Sequence, residues 1–236
     1  EGFLPSALLN YAALLGWNPG TNEEIFSLDE LIEKFDIARV QKAGAVYDEE
    51  KLRWVNRQHL QKLDPKDLAQ KFLEIFKESK YIQQKKWKAT SELIEKITPI
   101  ILDRIETFGD VEKFIEEGEF DYIFEMPKYE AEGLLWKGGD AGLIEKTVLH
   151  ISQAITVIGG MASEDLLNSE TIKSAIWDYA TTHGRGEVLW PIRFALTGNT
   201  KSPDPFSVIR IIGKTESIDR LTHAVKNLQK LATKDK

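Results

Sequence analysis

Residues 189–206 contain the side chains most suited to chemistry. Arg193 lies among apolar neighbours, and the loop after it carries a lysine, a hydroxyl, two prolines and an aromatic ring. The prolines restrict the loop before binding, so little conformational entropy is lost when a ligand is held. A guanidinium can bond a base edge or a phosphate, and Phe206 or a proline ring can stack on an unstacked base. The segment predicts a base-reading pocket; the alternative is an ordinary helix–helix loop with Arg193 in a core-side salt bridge.

No set of side chains in the sequence has the spacing of a catalytic or metal-binding group. The chain has no cysteine, which excludes disulfides, thiolate zinc sites and a cysteine nucleophile. Residues 183–186 are rich in glycine but follow a helical pattern, so we interpret them as a tight turn and not as a phosphate loop. The four histidines are far apart along the chain and lack ligand spacing: His59, His150, His183 and His223. We therefore expect no catalytic residue and no metal site, and taken alone the chain is not predicted to be an enzyme.

Composition and charge set broad limits. The 236 residues are 42% hydrophobic and 29% charged, with a net charge of −7. This length can bury one large core or two smaller ones, and no apolar run reaches the roughly 20 residues that a membrane-spanning helix needs. The acidic balance argues mildly against a nucleic-acid partner, because phosphate binding usually goes with a basic domain. The chain starts at Glu1 and has no signal peptide, so we expect a cytoplasmic protein that is processed or is a piece of a longer one.

Apolar residues recur at helical spacing along nearly the whole chain, which predicts an all-α fold. Ser27 and Glu30 have the spacing of a capping box at a helix start. Asp64 and Pro65 suit the N-cap and the first position of another helix. The helix after Ser27 is expected to turn four apolar side chains inward: Leu28, Leu31, Ile32 and Phe35.

Breakers and irregular segments divide this helical pattern. Pro99 is expected to kink or break a helix over residues 91–106. Residues 122–139 are mixed in composition, and we interpret them as the junction between two helical bodies. Residues 208–212 could form a strand but fit a buried helical turn equally well. The pattern predicts a multi-helix chain in about two parts.

Several ordered motifs resemble bacterial glutamyl-tRNA synthetases, which are class I aminoacyl-tRNA synthetases. The first motifs resemble the segment after the KMSKS-type loop of that family, and residues 191–198 resemble its closing motif. The matching stretches lie in the expected order at residues 3–11, 14–17, 24–32, 51–56, 191–198 and 211–214. The resemblance covers nearly the whole chain, although nothing like the family's HIGH and KMSKS signatures occurs in it.

The resemblance implies the C-terminal portion of such a synthetase, without its catalytic half. The expected architecture is a stem-contact helical region over residues 1–62, followed by two helical-bundle anticodon-binding subdomains over 63–125 and 126–236. The full enzyme would activate glutamate with ATP and magnesium and transfer it to tRNA(Glu). This portion would need no cofactor, would meet glutamate and ATP only through the missing half, would contact no membrane, and would be inactive alone. Glutaminyl and eukaryotic-type relatives fit less well, because their anticodon domains are β-barrels.

The family pattern implies RNA contacts at particular positions of this chain. Its anticodon-reading arginine matches Arg104, and a guanidinium suits that role because its fork can donate two bonds to one base edge. Trp54 and Asn56 match the stem-contact motif. Five positions match in the last subdomain: Arg193, Ser202, Pro203, Pro205 and Phe206. Pro205 stands where a leucine-like residue is common in the family.

Other interpretations stay open. Arg104 can instead pair with Asp103 or Glu106 on a helix face, and Trp54 and Asn56 can simply be packing residues. A non-discriminating synthetase would also charge the glutamine tRNA, although an arginine at position 104 favours the discriminating form. From a different class, the chain could be a helical protein-interaction module without an RNA function. The net charge does not exclude RNA, because a specific reader needs only a local basic face.

Overall fold

Helices form nearly all of the regular structure. A computed structural model describes residues 1–41, 46–138 and 142–234; residues 139–141 and 235–236, which include the end of the predicted junction and parts of the predicted third domain, lie outside the described residues. Within these ranges the strand-like feature is an isolated antiparallel bridge between Trp17 and Val40. The all-α prediction is confirmed, and the alternative strand at 208–212 is helical.

The chain divides into two compact units, Glu1–Gly118 and Glu119–Lys236. In the first unit α1 packs on α3, and α4 packs on both α6 and α7. Its described residues form these helices: α1 Pro5–Gly16, α2 Leu28–Lys34, α3 Glu49–Leu60, α4 Pro65–Glu78, α5 Lys80–Lys85, α6 Ser91–Arg104 and α7 Phe108–Glu116. The domain boundaries after residues 62 and 125 stay predictions.

Local caps begin two of these helices where the sequence predicts. The Ser27 hydroxyl accepts from the Glu30 amide at 3.2 Å, and the Glu30 carboxylate accepts from the Ser27 amide at 2.7 Å. Asp64 accepts from the Lys66 amide at 2.8 Å, with Pro65 in the first helical position. Each cap gives a partner to an amide that has none inside the helix. The capping box and the Asp64 start are therefore confirmed.

Pro99 does not break its helix. Helix α6 is continuous from Ser91 to Arg104 with Pro99 inside it. The residues on either side, Ile97 and Ile101, are fully buried, and α6 packs on α4. Burial of this face offsets the hydrogen bond that proline cannot donate. The predicted break is wrong, and the unbroken helix carries Arg104 as its last residue.

The inward face predicted for α2 is wrong at three of its four positions. Leu31 is buried, but Leu28, Ile32 and Phe35 are exposed by 53%, 71% and 47%. These three side chains line an open groove of about 570 Å³ together with residues of α1. Periodicity identifies the apolar face of a helix, but it does not say which segment covers that face.

The second unit is built around α11 and α12, which pack against each other and against α9. Gly184, at φ +94°, separates α10 from α11, so the tight turn predicted at 183–186 is confirmed. A further glycine, Gly213, interrupts the helical geometry within α12. The described residues of this unit form five helices: α8 Asp121–Phe124, α9 Gly142–Gly160, α10 Ser169–His183, α11 Arg185–Thr197 and α12 Pro205–Lys234.

The segment interpreted as a junction belongs to the second unit. It contains α8 and two short 3-10 helices, Ala131–Leu134 and Trp136–Gly138. Tyr122, Leu134 and Leu135 are buried in the same apolar core as residues of α9, α11 and α12. The segment is irregular, as predicted. Its apolar side chains belong to the core of the second unit, so the segment is not a linker between two helical bodies.

Arg220 is the largest fully buried side chain in the described structure. Its Nη1 donates to the carbonyls of Tyr122 and Leu196 at 2.6 and 2.7 Å. Nη2 donates to the carbonyl of Glu125 at 3.1 Å, and Nε donates to Glu216 at 2.7 Å. A buried guanidinium is stable only when acceptors surround it, so this side chain ties α8, α11 and α12 together.

We expect Arg220→Ala to lower the free energy of unfolding by about 3–5 kcal/mol, because it leaves three carbonyls and a carboxylate without their donor. Urea denaturation followed by circular dichroism measures the change. Lys226→Ala, at an exposed position of the same helix, is the matched control and should change stability by less than about 0.5 kcal/mol. Equal stability of the two variants would contradict this account of Arg220.

Candidate nucleic-acid interface

The loop after α11 folds back over Arg193. Nη2 of Arg193 donates to the Thr200 carbonyl at 3.0 Å, and Nη1 donates to the carbonyl and hydroxyl oxygens of Ser202 at 3.3 and 3.4 Å. The guanidinium carbon lies 4.9 Å from the ring centroid of Trp190. Burial lowers the pKa of Arg193, but an arginine keeps its charge. Among the described residues, the partners of the Arg193 guanidinium are two carbonyls, a hydroxyl and an aromatic ring. The alternative interpretation, in which a core-side salt bridge orients Arg193, does not describe these contacts.

A threonine and a glycine form the start of this loop. The Thr197 hydroxyl donates to the Arg193 carbonyl at 2.9 Å and lies 3.2 Å from the Ser202 hydroxyl. Gly198 adopts φ +70°, and a Cβ there would lie 2.9 Å from Pro127. Only glycine fits this turn without strain. The turn directs the loop back toward the guanidinium.

The end of the loop is a helix start, and its aromatic ring is covered. Asp204 Oδ1 accepts from the amides of Phe206 and Ser207 at 3.0 and 2.9 Å, and Pro205 is the first residue of α12. Pro205 is buried and Phe206 is only 4% exposed. The suggested stacking surface on Phe206 is therefore not open to solvent, because the ring packs into the core. Pro203, which is half-buried, is the more accessible ring of the loop.

Arg104 lies in the other unit, at the end of α6. Its guanidinium carbon is 4.7 Å from the ring centroid of Phe114 in α7, and the side chain is half-buried. A cation–π contact of this kind restricts the orientation of a guanidinium. The structure thus brings Arg193 and Ser202 into contact, buries Pro205 and Phe206, and places Arg104 on a separate unit.

The turn that follows Arg104 is held by Asp110 and Arg53. Asp110 Oδ2 accepts from the amides of Glu106 and Thr107, both at 2.8 Å. Arg53 donates to Asp110 and to Glu106, both at 2.7 Å. Burial by itself raises the pKa of Asp110, but the two amides and the guanidinium hold that pKa below its usual value. A side chain of α3 therefore positions the turn next to the predicted anticodon reader.

The two predicted stem-contact residues have opposite environments. Asn56 is fully buried; its Oδ1 accepts from the Leu4 amide at 2.7 Å, and its Nδ2 donates to the Glu106 carbonyl. This agrees with the packing alternative and leaves Asn56 no free surface for RNA. Trp54 is 39% exposed, with the Lys51 ammonium 4.1 Å from its ring centroid. Trp54 can reach a partner, whereas Asn56 braces the fold.

Two models of known families match the chain. The model described as "Anticodon binding domain" matches residues 64–225, and that described as "tRNA synthetases class I (E and Q), catalytic domain" matches residues 1–54. The chain belongs to the anticodon-binding domain family. The expected resemblance to glutamyl-tRNA synthetases is thereby confirmed, and the arginines described above lie within or beside the matched regions.

The relatives that match this chain are named as glutamate–tRNA ligases. The glutamate–tRNA ligases of Flavobacterium johnsoniae and Clostridium botulinum are 35% and 32% identical to it, over 97% of the chain. A crystal structure of a glutamate tRNA ligase from Elizabethkingia meningosepticum in complex with its amino acid superposes with a TM-score of 0.69 and 30% identity, over 96% of the chain. The chain spans only 42%, 45% and 42% of the lengths of these three proteins.

The fold of the anticodon-binding chain also brings together groups that sequence spacing separates. His150 Nδ1 lies 2.9 Å from the Tyr179 hydroxyl, and the rings of His150 and His183 are 5.9 Å apart. Burial, and then the neighbouring His183, lower the pKa of His150. His150 and His183 are thus far apart along the chain but close together in the fold. Arg53 and Arg220 were not foreseen either, since an arginine on a helix has no sequence signal for burial.

In the part of the chain that the structure describes, no three or more histidine, aspartate or glutamate side chains are arranged to hold a metal ion. No helix of these same ranges has the length and apolar content required to cross a bilayer.

We expect Asp110→Asn to lower the free energy of unfolding at pH 7 by about 1–3 kcal/mol, because it weakens two amide bonds and the pair with Arg53. The folded-state pKa of Asp110 is depressed, so its stabilisation is complete above the unfolded value of about 3.9 and is lost as the pH falls through the folded value. The difference between variant and wild type should therefore shrink below about pH 4. Urea denaturation at a series of pH values measures it.

Asp67→Asn is the control for this experiment, because Asp67 is an exposed carboxylate of the same unit. It should change stability by less than about 0.5 kcal/mol at pH 7. A stability difference for Asp110→Asn that persists unchanged to pH 3 would contradict the assigned role of the ionised carboxylate.

Proposed function

We propose that this chain recognises the anticodon of tRNA(Glu), as part of a longer ligase that joins glutamate to that tRNA. The observation that carries the proposal is the environment of the Arg193 side chain. Its guanidinium is half-buried and is oriented by the Thr200 and Ser202 carbonyls and the Trp190 ring, at the mouth of a stiff loop. A charged fork held in one orientation can discriminate between base edges. The names of the relatives support glutamate and its tRNA as the substrates.

The loop after Arg193 supplies the other contacts that we assign. Ser202 has a hydroxyl, which can donate to or accept from a base, beside the guanidinium. The half-buried Pro203 offers a rigid apolar face to an unstacked base. Pro205 and Phe206 lie beneath the loop and support it from the core, so we assign them no direct stacking contact. The loop is pre-organised by Thr197 and Gly198, which reduces the entropy that binding would cost.

Arg104 is assigned to the third anticodon base. A bidentate contact from a guanidinium favours one base edge over another, so the proposed enzyme is the discriminating form. The non-discriminating form would accept the glutamine anticodon nearly as well. Phe114 and the turn held by Asp110 support this assignment, because they orient the side chain before RNA arrives.

Residues 1–62 are proposed to contact the tRNA stem, ahead of the two anticodon-binding subdomains over 63–125 and 126–236. The exposed ring of Trp54 can meet a sugar–phosphate backbone, while the Lys51 ammonium above it pairs with Glu24 at 2.5 Å. Asn56 is assigned a bracing role in the same region, between Leu4 and Glu106. The match of residues 1–54 to a catalytic-domain model supports a position of this region close to the catalytic body.

Glutamate activation is assigned to the longer ligase. There, ATP with magnesium would supply the adenylyl group that activates the glutamate carboxylate, with pyrophosphate as the leaving group, and this chain would bind and orient the tRNA. Because translation takes place in the cytoplasm of bacteria, we propose that location for the whole protein.

We expect Arg104→Ala and Arg193→Ala each to weaken binding of tRNA(Glu) by about 1–3 kcal/mol, because each removes a bidentate base contact. Arg104→Ala should also bring binding of a tRNA with the glutamine anticodon closer to that of the glutamate anticodon. Fluorescence titration of the chain with both tRNAs measures this. Arg→Lys at either position is the matched control: it keeps the charge, so it should lose anticodon discrimination but keep the salt dependence.

Two outcomes would reject the proposal. Unchanged anticodon discrimination in both alanine variants would make the site assignment wrong. Absence of any tRNA binding by the wild-type chain, even at low salt, would favour the helical protein-interaction module instead.

We expect the 236-residue chain to show no glutamate transfer to tRNA in the presence of ATP, magnesium and glutamate. The reason is that it spans less than half of the relatives' length. A radiolabelled glutamate assay, with a full-length relative as the positive control, measures this. Transfer by the chain alone would contradict the assignment of catalysis to the remainder of the ligase.

A further inference from the structure

A dense group of exposed lysines lies at the end of α4, along α5 and just after it. Residues 77–88 contain five lysines and one glutamate, a local net charge of +4 in a chain whose net charge is −7. All five lysine side chains are exposed: Lys77, Lys80, Lys85, Lys86 and Lys88. We call this surface the lysine turn. No residue of it belongs to the sites described above.

The backbone of the lysine turn is well anchored. The Ser79 carbonyl accepts from the Gln83 amide at 3.1 Å, and the Gln83 side chain donates to the Lys77 carbonyl at 2.8 Å. Ile82 is buried, and its carbonyl accepts from the Trp87 amide at 3.2 Å. Lys86 adopts φ +57°, which ends α5 and reverses the chain. The lysines therefore project from a hydrogen-bonded turn and not from an unstructured segment.

An aromatic pair orients one of these lysines. The rings of Tyr81 and Trp87 meet edge to face at 6.1 Å. The Lys85 ammonium lies 5.6 Å from the first ring centroid and 4.9 Å from the second. Cation–π contact restricts a long side chain without removing its charge, so Lys85 reaches solvent with fewer conformations to lose on binding.

We propose that the lysine turn is a binding site for the phosphodiester backbone of RNA, and that it supplies affinity without reading sequence. An ammonium is a point charge that suits a phosphate better than a base edge. The turn also lies near the predicted reader, because α5 contacts α7 and Arg104 lies over Phe114 of α7. An RNA bound at Arg104 is therefore bound to the same unit that carries the lysine turn. This inference rests on the proposed function, which supplies the RNA.

The test is a triple variant of the 236-residue chain, Lys85→Gln with Lys86→Gln and Lys88→Gln. Binding of tRNA is measured at several salt concentrations, with circular dichroism to verify the fold. Each lost phosphate contact should reduce the slope of log affinity against log salt by about 0.7–0.9, so the slope should fall by about 2–3 in magnitude. At 0.1 M salt, one log unit below 1 M, this slope change lowers the affinity by about 100- to 1,000-fold, equally for tRNAs with glutamate and glutamine anticodons.

Two further variants serve as matched controls. Lys146→Gln with Lys226→Gln and Lys230→Gln removes the same charge from exposed positions of the other unit, and it should change affinity by less than about twofold. The triple variant Lys85→Arg with Lys86→Arg and Lys88→Arg keeps the positive charge, so this variant should retain the wild-type affinity and salt slope. These two results together would assign the effect to charge at the turn.

The outcomes separate this inference from the function on which it rests. Equal losses in the glutamine triple and its control would reject the inference, because net charge alone would explain them. An unchanged affinity in the glutamine triple, with anticodon discrimination intact, would reject the lysine turn and leave the proposed function standing. A loss confined to the glutamate anticodon would also reject it, because a backbone contact does not read sequence. A wild-type chain that binds no tRNA would reject both.

Discussion

The buried guanidinium of Arg220 is the interaction on which the second unit depends. A charge taken out of water requires several acceptors, and Arg220 finds them in three carbonyls and a carboxylate from α8, α11 and α12. One of those carbonyls belongs to Leu196, two residues before Gly198. The start of the candidate loop is therefore held by a residue that lies more than twenty positions further along the chain.

The two units use arginine in the same way, to hold a turn beside a predicted RNA contact. Arg53 holds the turn after Arg104 through Asp110 and Glu106, and Arg220 holds the end of α11 before the Arg193 loop. Arginine suits this role because its several donors can bond different chain segments at once. Lysines are distributed differently: the five of the lysine turn are exposed. A net charge of −7 thus coexists with a strongly basic local surface, and the total charge says little about the partner.

Several features of the fold were predictable from short-range patterns. The capping box at Ser27, the helix start at Asp64 and Pro65, and the turn at 183–186 depend on bonds between residues a few positions apart, so spacing alone identifies them. The candidate RNA contacts came from the family resemblance instead, and they stay predictions. The predicted Pro99 break and the predicted inward face of α2 were wrong, because both depend on which distant segment packs against the helix.

The sequence by itself determined the all-α class and the helix starts, because periodicity and caps depend on residues a few positions apart. It also determined the family, because the matching motifs occur in the expected order. Only the tertiary structure decided which of the candidate side chains are exposed. It covered Phe206 and Asn56, left Trp54 open, brought His150 beside His183, and buried Arg220 among carbonyls. The physical reason is that burial depends on contacts between residues far apart in the chain, and a helix carries the same periodic pattern whether its face meets a core, a partner or water.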